Sequence, residues 1–382
     1  MNKTSKIVIA LIAVLVIILG VVAARRAPRQ STVQTANAKE PVKIGFIGPL
    51  SGDAVNIGLN AKAAVGIAVD EVNQAGGING RPLEVIYEDG QCSGQAASNA
   101  ANKLMNVDKV SAILGGLCSS ETMSFTAAAN NAQQVVLSPC SSAPAITNAG
   151  DYIFRDYPSD SYAGKFAADY IYNTLGKKKT ALLYVKSDWG EGIAKVFVDS
   201  YQKDGGQIVA NEGYEQNSTD LRTQLTKIKA ANPDMLYFVG YTEASIAGIK
   251  QAREIGLTVP MMGADAWDDA TIWSKVGASG EGAMYAVIYA PMNDTFRAKM
   301  AAVVGNSEVT TCSPQAYDGL KILAQVMNQV GTDPTAIKNA LYKVQYNNGV
   351  SGQSIAFDQN GDLVNASYVV KVVHNGQAVN KQ

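Results

Sequence analysis

The stretch VKIGFIGPLSGDAVNIGLNAKAAVGIAVDEVNQAGGINGRPLEVIYED (residues 42–89) has a short apolar run at each end. The runs at 42–48 and 83–89 have the length of buried strands, and the spacing of apolar residues over 56–75 predicts a helix between them. A strand, a covering helix and a second strand form the repeating unit of a parallel sheet. This stretch therefore predicts an α/β fold.

The same alternation continues to residue 291 and gives two successive blocks of this kind. We expect two doubly wound parallel-sheet domains with helices on both faces. Residues 355–379 contain the turn signals Asn360-Gly361 and Asn375-Gly376, and they predict strands that return to complete the sheets. The remaining predicted strands are 110–116, 134–139, 180–188, 234–240 and 282–291, and the remaining predicted helices are 95–106, 119–130, 162–175, 190–203, 219–231, 243–255, 295–304, 314–330 and 334–344.

The N-terminus predicts export. Residues 1–24 place Lys3 and Lys6 before an uncharged apolar run, which predicts an apolar helix that serves as a signal peptide or a membrane anchor. Both alternatives stay open. Residues 25–40 show no apolar periodicity and are interpreted as a flexible stalk. We expect the protein in the periplasm or at the outer face of the cytoplasmic membrane.

Composition and motifs argue against nucleic-acid binding and catalysis. The net charge is −1, so there is no basic excess to neutralise phosphates. The only histidine, His374, stands beside an Asn-Gly turn and has no partners for a catalytic triad. GxSxG, GxxxxGK and metal-spaced His/Cys motifs are absent from the sequence. We therefore predict that the chain is not an enzyme and has no cofactor or metal.

Loops rich in glycine, hydroxyl groups and aromatic rings follow the predicted strands. Carboxyl ends of parallel strands meet at one edge of a sheet, so two such sets of loops would face each other across a cleft. Turn chemistry and helix capping are the alternative explanation for each loop alone. The loops are GPLSGD (48–53), GGLCSSET (115–122) and SPCSSAPAIT (138–147) in the first block, and SDWGEG (187–192), VGYTEAS (239–245) and MGADAWDD (262–269) in the second.

The stretch GGLCSSETMS, residues 115–124, marks the junction between a strand and a helix. Its two glycines allow a close backbone approach. Ser119 or Ser120 could cap the helix, and the free N–H groups at its start could also bind an anion. The sequence leaves both roles open.

Residues 42–380 resemble the type I periplasmic binding proteins of the branched-chain amino acid transport family. The resemblance rests on the 42–89 stretch and continues through CSSET, SPCSSAPAIT, WGEG and MGAD. It implies one lobe built from 41–159 with 290–358 and another built from 160–289 with 359–382. It also implies a three-segment hinge, with crossings near 157–162, 288–292 and 358–366.

The resemblance also implies a ligand site. The first lobe would bind the ligand's carboxylate, whereas Asp265 would bind its ammonium group. Asp265 could instead cap a helix near Trp267, and a large aromatic such as Trp189 could be core packing. Ile57 stands where some relatives carry an aromatic residue, so we expect a different side-chain pocket. The implied carboxylate ligands are Ser119 with Cys118 or Ser120, and Cys140, Ser141 and Ser142; the implied aromatic cover is Trp189 with Tyr241.

Four cysteines in an exported chain suggest two disulfides, with three possible pairings from sequence alone. The resemblance implies a bridge between Cys92 and Cys118. Cys140 and Cys312 are then left over, and we predict a second bridge between them beside the pocket. Two free buried thiols are the alternative.

The resemblance implies an extracytoplasmic solute-binding protein that closes around a small zwitterion. We expect a branched-chain or other amino acid, delivered to an ABC importer through its membrane permease, and a monomeric protein. If the N-terminal segment stays uncleaved, it would hold the protein at the membrane. The alternatives are the ligand-sensing domain of a receptor complex, or the binding of a short amide or other small organic acid.

Overall fold

A computed structural model describes residues 39–305 and 309–381. The predicted signal peptide or anchor at 1–24, and the stalk up to residue 38, lie outside the described residues. Within the described ranges, none of the helices combines the length and the apolar character that a membrane crossing requires.

The described chain alternates strands and helices as the sequence predicts. Its strands are β1 (Val42–Gly48), β2 (Leu83–Asp89), β3 (Ala112–Gly115), β4 (Val136–Ser138), β5 (Ile153–Arg155), β6 (Lys179–Lys186), β7 (Gln207–Glu215), β8 (Met235–Val239), β9 (Met261–Gly263), β10 (Met284–Ile288), β11 (Tyr346–Asn347), β12 (Ser354–Ile355), β13 (Tyr368–His374) and β14 (Gln377–Asn380). Its helices are α1 (Val55–Gln74), α2 (Gly94–Lys103), α3 (Ser119–Asn131), α4 (Asp160–Asp169), α5 (Asp188–Lys203), α6 (Arg222–Ala230), α7 (Thr242–Glu254), α8 (Ala270–Val276), α9 (Asp294–Val304), α10 (Ser313–Val330) and α11 (Pro334–Leu341).

The first sheet is wholly parallel, with the strand order β2-β1-β3-β4-β5. Its central strands are continuous apolar runs because both faces are covered; Ile44 and Phe46 of β1 and Leu114 of β3 are fully buried. The strand order reverses between β1 and β3. In open α/β sheets such a reversal opens a crevice at the carboxyl ends of the two strands.

The second sheet has the order β14-β13-β10-β9-β8-β6-β7, and its strands from β6 to β10 are parallel. The strand order reverses between β6 and β8, which gives a second crevice. β13 and β14 are antiparallel and are joined by the turn at Asn375-Gly376, whose two residues have positive φ angles of 52° and 74°. The predicted α/β fold class is therefore confirmed, with an antiparallel edge added to this sheet.

The expectation that residues 355–379 complete both sheets is only partly correct. β13 and β14 extend the second sheet, but β12 pairs with β11 in a separate two-stranded ribbon. The first sheet gains only a single bridge, between Arg155 and Asp362. Asp358 explains the difference, because its carboxylate accepts N–H groups from Asn360 and Asp362 and folds this segment into a turn.

A buried ion pair joins β5 to that turn. The Arg155 guanidinium is fully buried and binds the Asp362 carboxylate through Nε at 2.6 Å and through a terminal nitrogen at 2.8 Å. Its other donors reach the Ala143 carbonyl and the Thr147 hydroxyl. Four of its five N–H groups are therefore bonded within the protein, and the carboxylate supplies the counter-charge that a buried arginine requires.

Gly115 has the backbone geometry that the sequence predicts for close approach. Its φ is +138°, and a Cβ atom here would overlap the Ile47 carbonyl oxygen of the neighbouring strand. We expect Gly115→Ala to lower the free energy of unfolding by about 2–4 kcal/mol, because it combines strain with a backbone clash. Gly66→Ala in α1 is the control: nothing lies within 4 Å of its Cβ position. It should stabilise the protein by about 0.5–1 kcal/mol. Urea unfolding measures both, and equal effects would contradict the assignment.

Candidate functional site

A small cavity, with about 30 Å³ open to a particle the size of water, lies where loops from both sheets converge. The loops follow β1, β3 and β4 of the first sheet and β6, β8 and β9 of the second. The cavity therefore lies at the carboxyl ends of the strands and beside both strand-order reversals, where ligand sites of α/β proteins occur. Its lining consists of Pro49, Ala54, Ile57, Leu117, Cys118, Ser119, Cys140, Ser142, Trp189, Tyr241, Asp265, Ala266, Thr311 and Cys312.

Most of the residues that the sequence singled out line this one cavity. They are Cys118, Ser119, Cys140, Ser142, Trp189, Tyr241 and Asp265. Ser141 lies behind them, where its hydroxyl contacts the Gly116 carbonyl at 2.8 Å and the Thr122 hydroxyl at 2.7 Å. Ser120 lies at the edge, where its hydroxyl accepts the Asp188 N–H at 3.2 Å. The structure therefore brings seven of the nine residues to the cavity wall.

Ser119 presents a hydrogen-bond donor to the cavity. Its Oγ accepts the N–H groups of Ser142 at 3.2 Å and of Ala143 at 3.0 Å. Because the oxygen already accepts two hydrogen bonds, the group that remains for a ligand is the hydroxyl hydrogen. Ser119 also opens α3, where first-turn N–H groups have no acceptor within the helix and the helix dipole is positive. This wall of the cavity suits an anion.

The cap of α3 is formed by other residues. Cys118 occupies the N-cap position, and Glu121 bonds back to the chain before it. The buried Glu121 carboxylate accepts the N–H groups of Cys92 at 2.9 Å, Leu117 at 2.9 Å and Cys118 at 3.0 Å. Burial raises the pKa of Glu121 to about 7, against the opposing effect of these three N–H donors. Neither Ser119 nor Ser120 is therefore needed as a cap.

Both predicted disulfides are present in the structure. Cys92–Cys118 and Cys140–Cys312 have Cα–Cα distances of 5.2 and 5.1 Å. Three of these cysteines line the cavity. Glu121 lies close to the sulfurs of the first bridge. Those sulfurs are bonded to each other, so this group offers no thiolate ligands for a metal.

Asp265 is the acidic group on the opposite wall. Its carboxylate is 8% exposed and accepts the Tyr157 hydroxyl at 2.6 Å and the Ala266 N–H at 3.1 Å. The Tyr157 oxygen also lies 2.9 Å from the Thr311 hydroxyl, so a chain of hydroxyl groups orients the carboxylate. Burial raises the pKa of Asp265 above its ordinary value. A cationic ligand group beside it would lower that pKa again.

The capping role considered for Asp265 belongs to Asp269. The side chain of Asp269 accepts the Thr271 N–H at the start of α8, and it also accepts the Thr242 hydroxyl at 2.8 Å. Asp265 lies in a short 3₁₀ turn that has no side-chain cap. Its carboxylate is therefore directed to the cavity wall rather than to a helix end.

Two aromatic rings form a third wall. Trp189 and Tyr241 are stacked with their ring centroids 4.8 Å apart, and each is only 5% exposed. They come from the loops after β6 and β8, which flank the reversal of the second sheet. Aliphatic groups of Ala54, Ile57 and Leu117 also belong to the lining. The lining therefore combines apolar side chains with the Ser119 hydroxyl and the Asp265 carboxylate.

Sequence reasoning missed Leu117, Tyr157 and Thr311. Leu117 lies within the quoted GGLCSSET loop, and its place beside Cys118 is the signal that could have found it. Tyr157 and Thr311 carry no local signal; Tyr157 lies two residues after β5, a strand that the pattern did not show. They become recognisable only when the chain brings them to Asp265.

Comparisons with known proteins place the chain in a family. A family profile described as "Periplasmic binding protein" matches residues 41–377. The chain is 28% identical over 347 residues to the leucine-, isoleucine-, valine-, threonine- and alanine-binding protein of Pseudomonas aeruginosa, covering 88% of this chain and 91% of the relative.

Two solved structures are also similar. The first is a leucine binding protein from Thermotoga maritima, with a TM-score of 0.83 and 25% identity, covering 89% of this chain and 98% of that one. The second is a branched-chain amino acid transporter substrate binding protein from Streptococcus pneumoniae in complex with isoleucine. It has a TM-score of 0.80 and 28% identity, covering 90% of this chain and 100% of that one.

Glu121 predicts a pH dependence of stability. Its pKa is about 7 in the folded protein against an ordinary value of 4.5, so its contribution is fully present below pH 4.5 and is lost as the pH rises through 7. We expect the free energy of unfolding to fall by about 3 kcal/mol more in the wild type than in Glu121→Gln over this range. Urea unfolding at several pH values measures the difference. Parallel curves would show that the carboxyl does not titrate there.

Proposed function

The chain belongs to the periplasmic binding protein family, and on this premise we propose that its cleft binds a small zwitterion, namely a branched-chain or other amino acid. The membership confirms the resemblance that the sequence carries. It also confirms the prediction of a binding protein rather than an enzyme.

The observation that carries the proposal is that the two sheets contribute groups of opposite polarity to one cavity. Ser119 and the start of α3 offer hydrogen-bond donors, and the Asp265 carboxylate offers an acceptor. An α-carboxylate beside Ser119 would gain charge-assisted hydrogen bonds and the favourable end of the helix dipole. No lysine or arginine among the described residues bonds to the buried Asp265 carboxylate. An ammonium group of the ligand beside it would supply the missing counter-charge.

The apolar part of the cavity lining supports an aliphatic side chain. Ile57, Leu117 and the stacked Trp189 and Tyr241 rings would contact it. Burying a side chain of this kind contributes roughly 1.5–3 kcal/mol. A ligand without either charged end would leave a buried polar group unpaired, at a cost of about 1–3 kcal/mol. The cavity would therefore favour a ligand that has both charged ends and an apolar side chain.

Contacts between the loops of the two sheets support binding by closure. Asp53 Oδ1 accepts the N–H groups of Glu243 and Ala244 at 3.0 and 3.1 Å, and Asn56 Nδ2 donates to Asp269 at 2.7 Å. They join the loop after β1 and the start of α1 to the first turns of α7 and α8. Such contacts would break if the lobes opened, so they favour the closed form together with the ligand.

The lobes of this proposal are 41–159 with 290–358 and 160–289 with 359–382, joined at the three crossings. We further propose that the protein acts outside the cytoplasm as a monomer, held at the membrane if its N-terminal segment is uncleaved. There it would pass its amino acid to the permease of an ABC importer. The Streptococcus pneumoniae relative, which is named as a transporter's substrate binding protein, supports this role.

Calorimetry with L-leucine tests the proposal, after a thermal-shift screen of the twenty amino acids and small amides. Asp265→Ala should weaken binding at least about tenfold, because it removes the only acidic side chain of the cavity lining. Asp188→Asn is the control, since this exposed carboxylate lies at the cleft edge but outside the lining. If no zwitterion raises the unfolding midpoint, the proposal fails. Unchanged affinity in Asp265→Ala would remove this residue from the site.

Asp53 offers a test of closure. Asp53→Ala removes the acceptor for the N–H groups in the first turn of α7. It should weaken leucine binding about fivefold, because the loss of one helix N-cap typically costs about 1 kcal/mol. Asp53→Asn keeps an oxygen in the same place without a charge to bury, so its affinity should stay within about twofold of the wild type. Calorimetry compares the two variants at one pH. Equal losses in both would mean that the charge, and not the acceptor, is required.

A further inference from the structure

A group of buried polar side chains lies between the end of β5 and the first turns of α10. Asp156, Gln315 and Asp318 are 1%, 1% and 0% exposed. Both carboxylate oxygens of Asp156, both amide atoms of Gln315 and Oδ1 of Asp318 have no hydrogen-bond partner among the described residues. Folded proteins leave few buried polar atoms unpaired, so five in one region require an explanation.

Two of these side chains, Gln315 and Asp318, lie near the start of α10. Asp318 and Gly319 are three and four positions after Gln315, so both are its neighbours on the helix surface. Asp156 Oδ2 lies against it, 3.1 Å from the position that a Cβ on Gly319 would occupy. The other oxygen of Asp318 is fixed by Ser351, which donates its N–H at 2.7 Å and its hydroxyl at 2.6 Å. The unpaired Oδ1 is thereby held in place.

Nearby cationic side chains are already bonded elsewhere. Arg155, the residue before Asp156, uses its guanidinium on Asp362 and on backbone and hydroxyl oxygens of its own loop. Lys321, one turn along α10, bonds Glu71 at 2.8 Å. Burial and the repulsion of Asp318 both raise the pKa of Asp156. Two carboxyl groups buried together without a counter-charge are costly.

A cavity connects this place with the outside. It is lined by Asp156 just before the first predicted crossing, by Tyr289 and Pro291 of the second, and by Ser351 and Ser367 on either side of the third. About 370 Å³ of it is open to a particle the size of water, which is enough for several water molecules. An ion could therefore reach Asp156 without unfolding of the core.

We propose that Asp156, Asp318 and the amide oxygen of Gln315 bind one calcium ion. All of the available ligand atoms are oxygen, which selects a hard cation, and two carboxylates balance a divalent one. Ca²⁺ accepts six to eight oxygens in flexible geometry, and water in the cavity can complete the shell. Mg²⁺ demands near-ideal octahedral geometry and gives up its own water reluctantly. Asp318 lies beyond the first turn of α10, where the unfavourable dipole of the helix start has fallen off.

The ion would tie the first crossing to α10. Asp156 precedes the segment that leads to α4, whereas α10 packs against α1 and β3 of the first sheet. Bound calcium should therefore stabilise the folded protein with no amino acid present. This property separates the inference from the proposed function, since neither depends on the other.

Metal-stripped full-length protein, without amino acids, is the sample for the test. We expect about 5 mM CaCl₂ to raise the unfolding midpoint by about 3 °C or more, through preferential binding to the folded state. MgCl₂ at the same concentration should raise it less. Elemental analysis after dialysis against calcium should find one ion per chain.

Variants locate the ion. Asp156→Asn and Gln315→Met should each weaken calcium binding at least tenfold in calorimetry, whereas the exposed Asp199→Asn should leave it unchanged. No calcium-dependent shift and no bound metal in the wild type would overturn the proposal, even if the variants fail to fold. A higher midpoint of metal-free Asp156→Asn, without calcium binding by the wild type, would instead indicate a proton shared between the two carboxyl groups.

Discussion

The buried carboxylate of Glu121 fixes the loop on which the cavity depends. It accepts three backbone N–H groups, two from the end of the loop after β3 and one from Cys92 after β2. No lysine or arginine among the described residues bonds to it, so these N–H donors alone compensate its burial. The Cys92–Cys118 bridge closes over the same carboxylate. Because these groups are used inside the loop, the start of α3 and the Ser119 hydroxyl remain for the cavity.

The rest of the cavity follows from the order of the strands. The strand order of each sheet reverses once, at β1/β3 and at β6/β8, and loops beside both reversals line the same cavity. The loops at β1/β3 supply hydrogen-bond donors, and the loops at β6/β8 supply aromatic rings. Asp265 follows β9, the strand beside β8. Tyr157 and Thr311 then hold Asp265 by hydroxyl groups rather than by a cation. A hydroxyl partner leaves the negative charge of the carboxylate intact for a bound molecule.

Long apolar strands were predictable because both faces of a parallel strand are buried; β1 and β8 were read directly from their runs. β7 was missed, since its sequence QIVANEGYE at the sheet edge has no apolar alternation and only Tyr214 is buried. β5 and β9 have only three residues each and give no periodicity. Within the site, the loops were predictable but their inner contacts were not. Ser141 and Ser142 are adjacent and chemically identical, and only the fold decides that Ser142 lines the cavity.

The Cys140–Cys312 bridge spans 172 residues and encloses every strand from β5 to β10. Most of the second sheet is therefore an insertion whose two ends are covalently joined at its base. A long closed loop of this kind restricts the denatured chain strongly. A protease cut within the enclosed segment would also leave both fragments attached to one another. A single cut of the backbone between Cys140 and Cys312 therefore does not separate the two parts of the chain while the disulfide is intact.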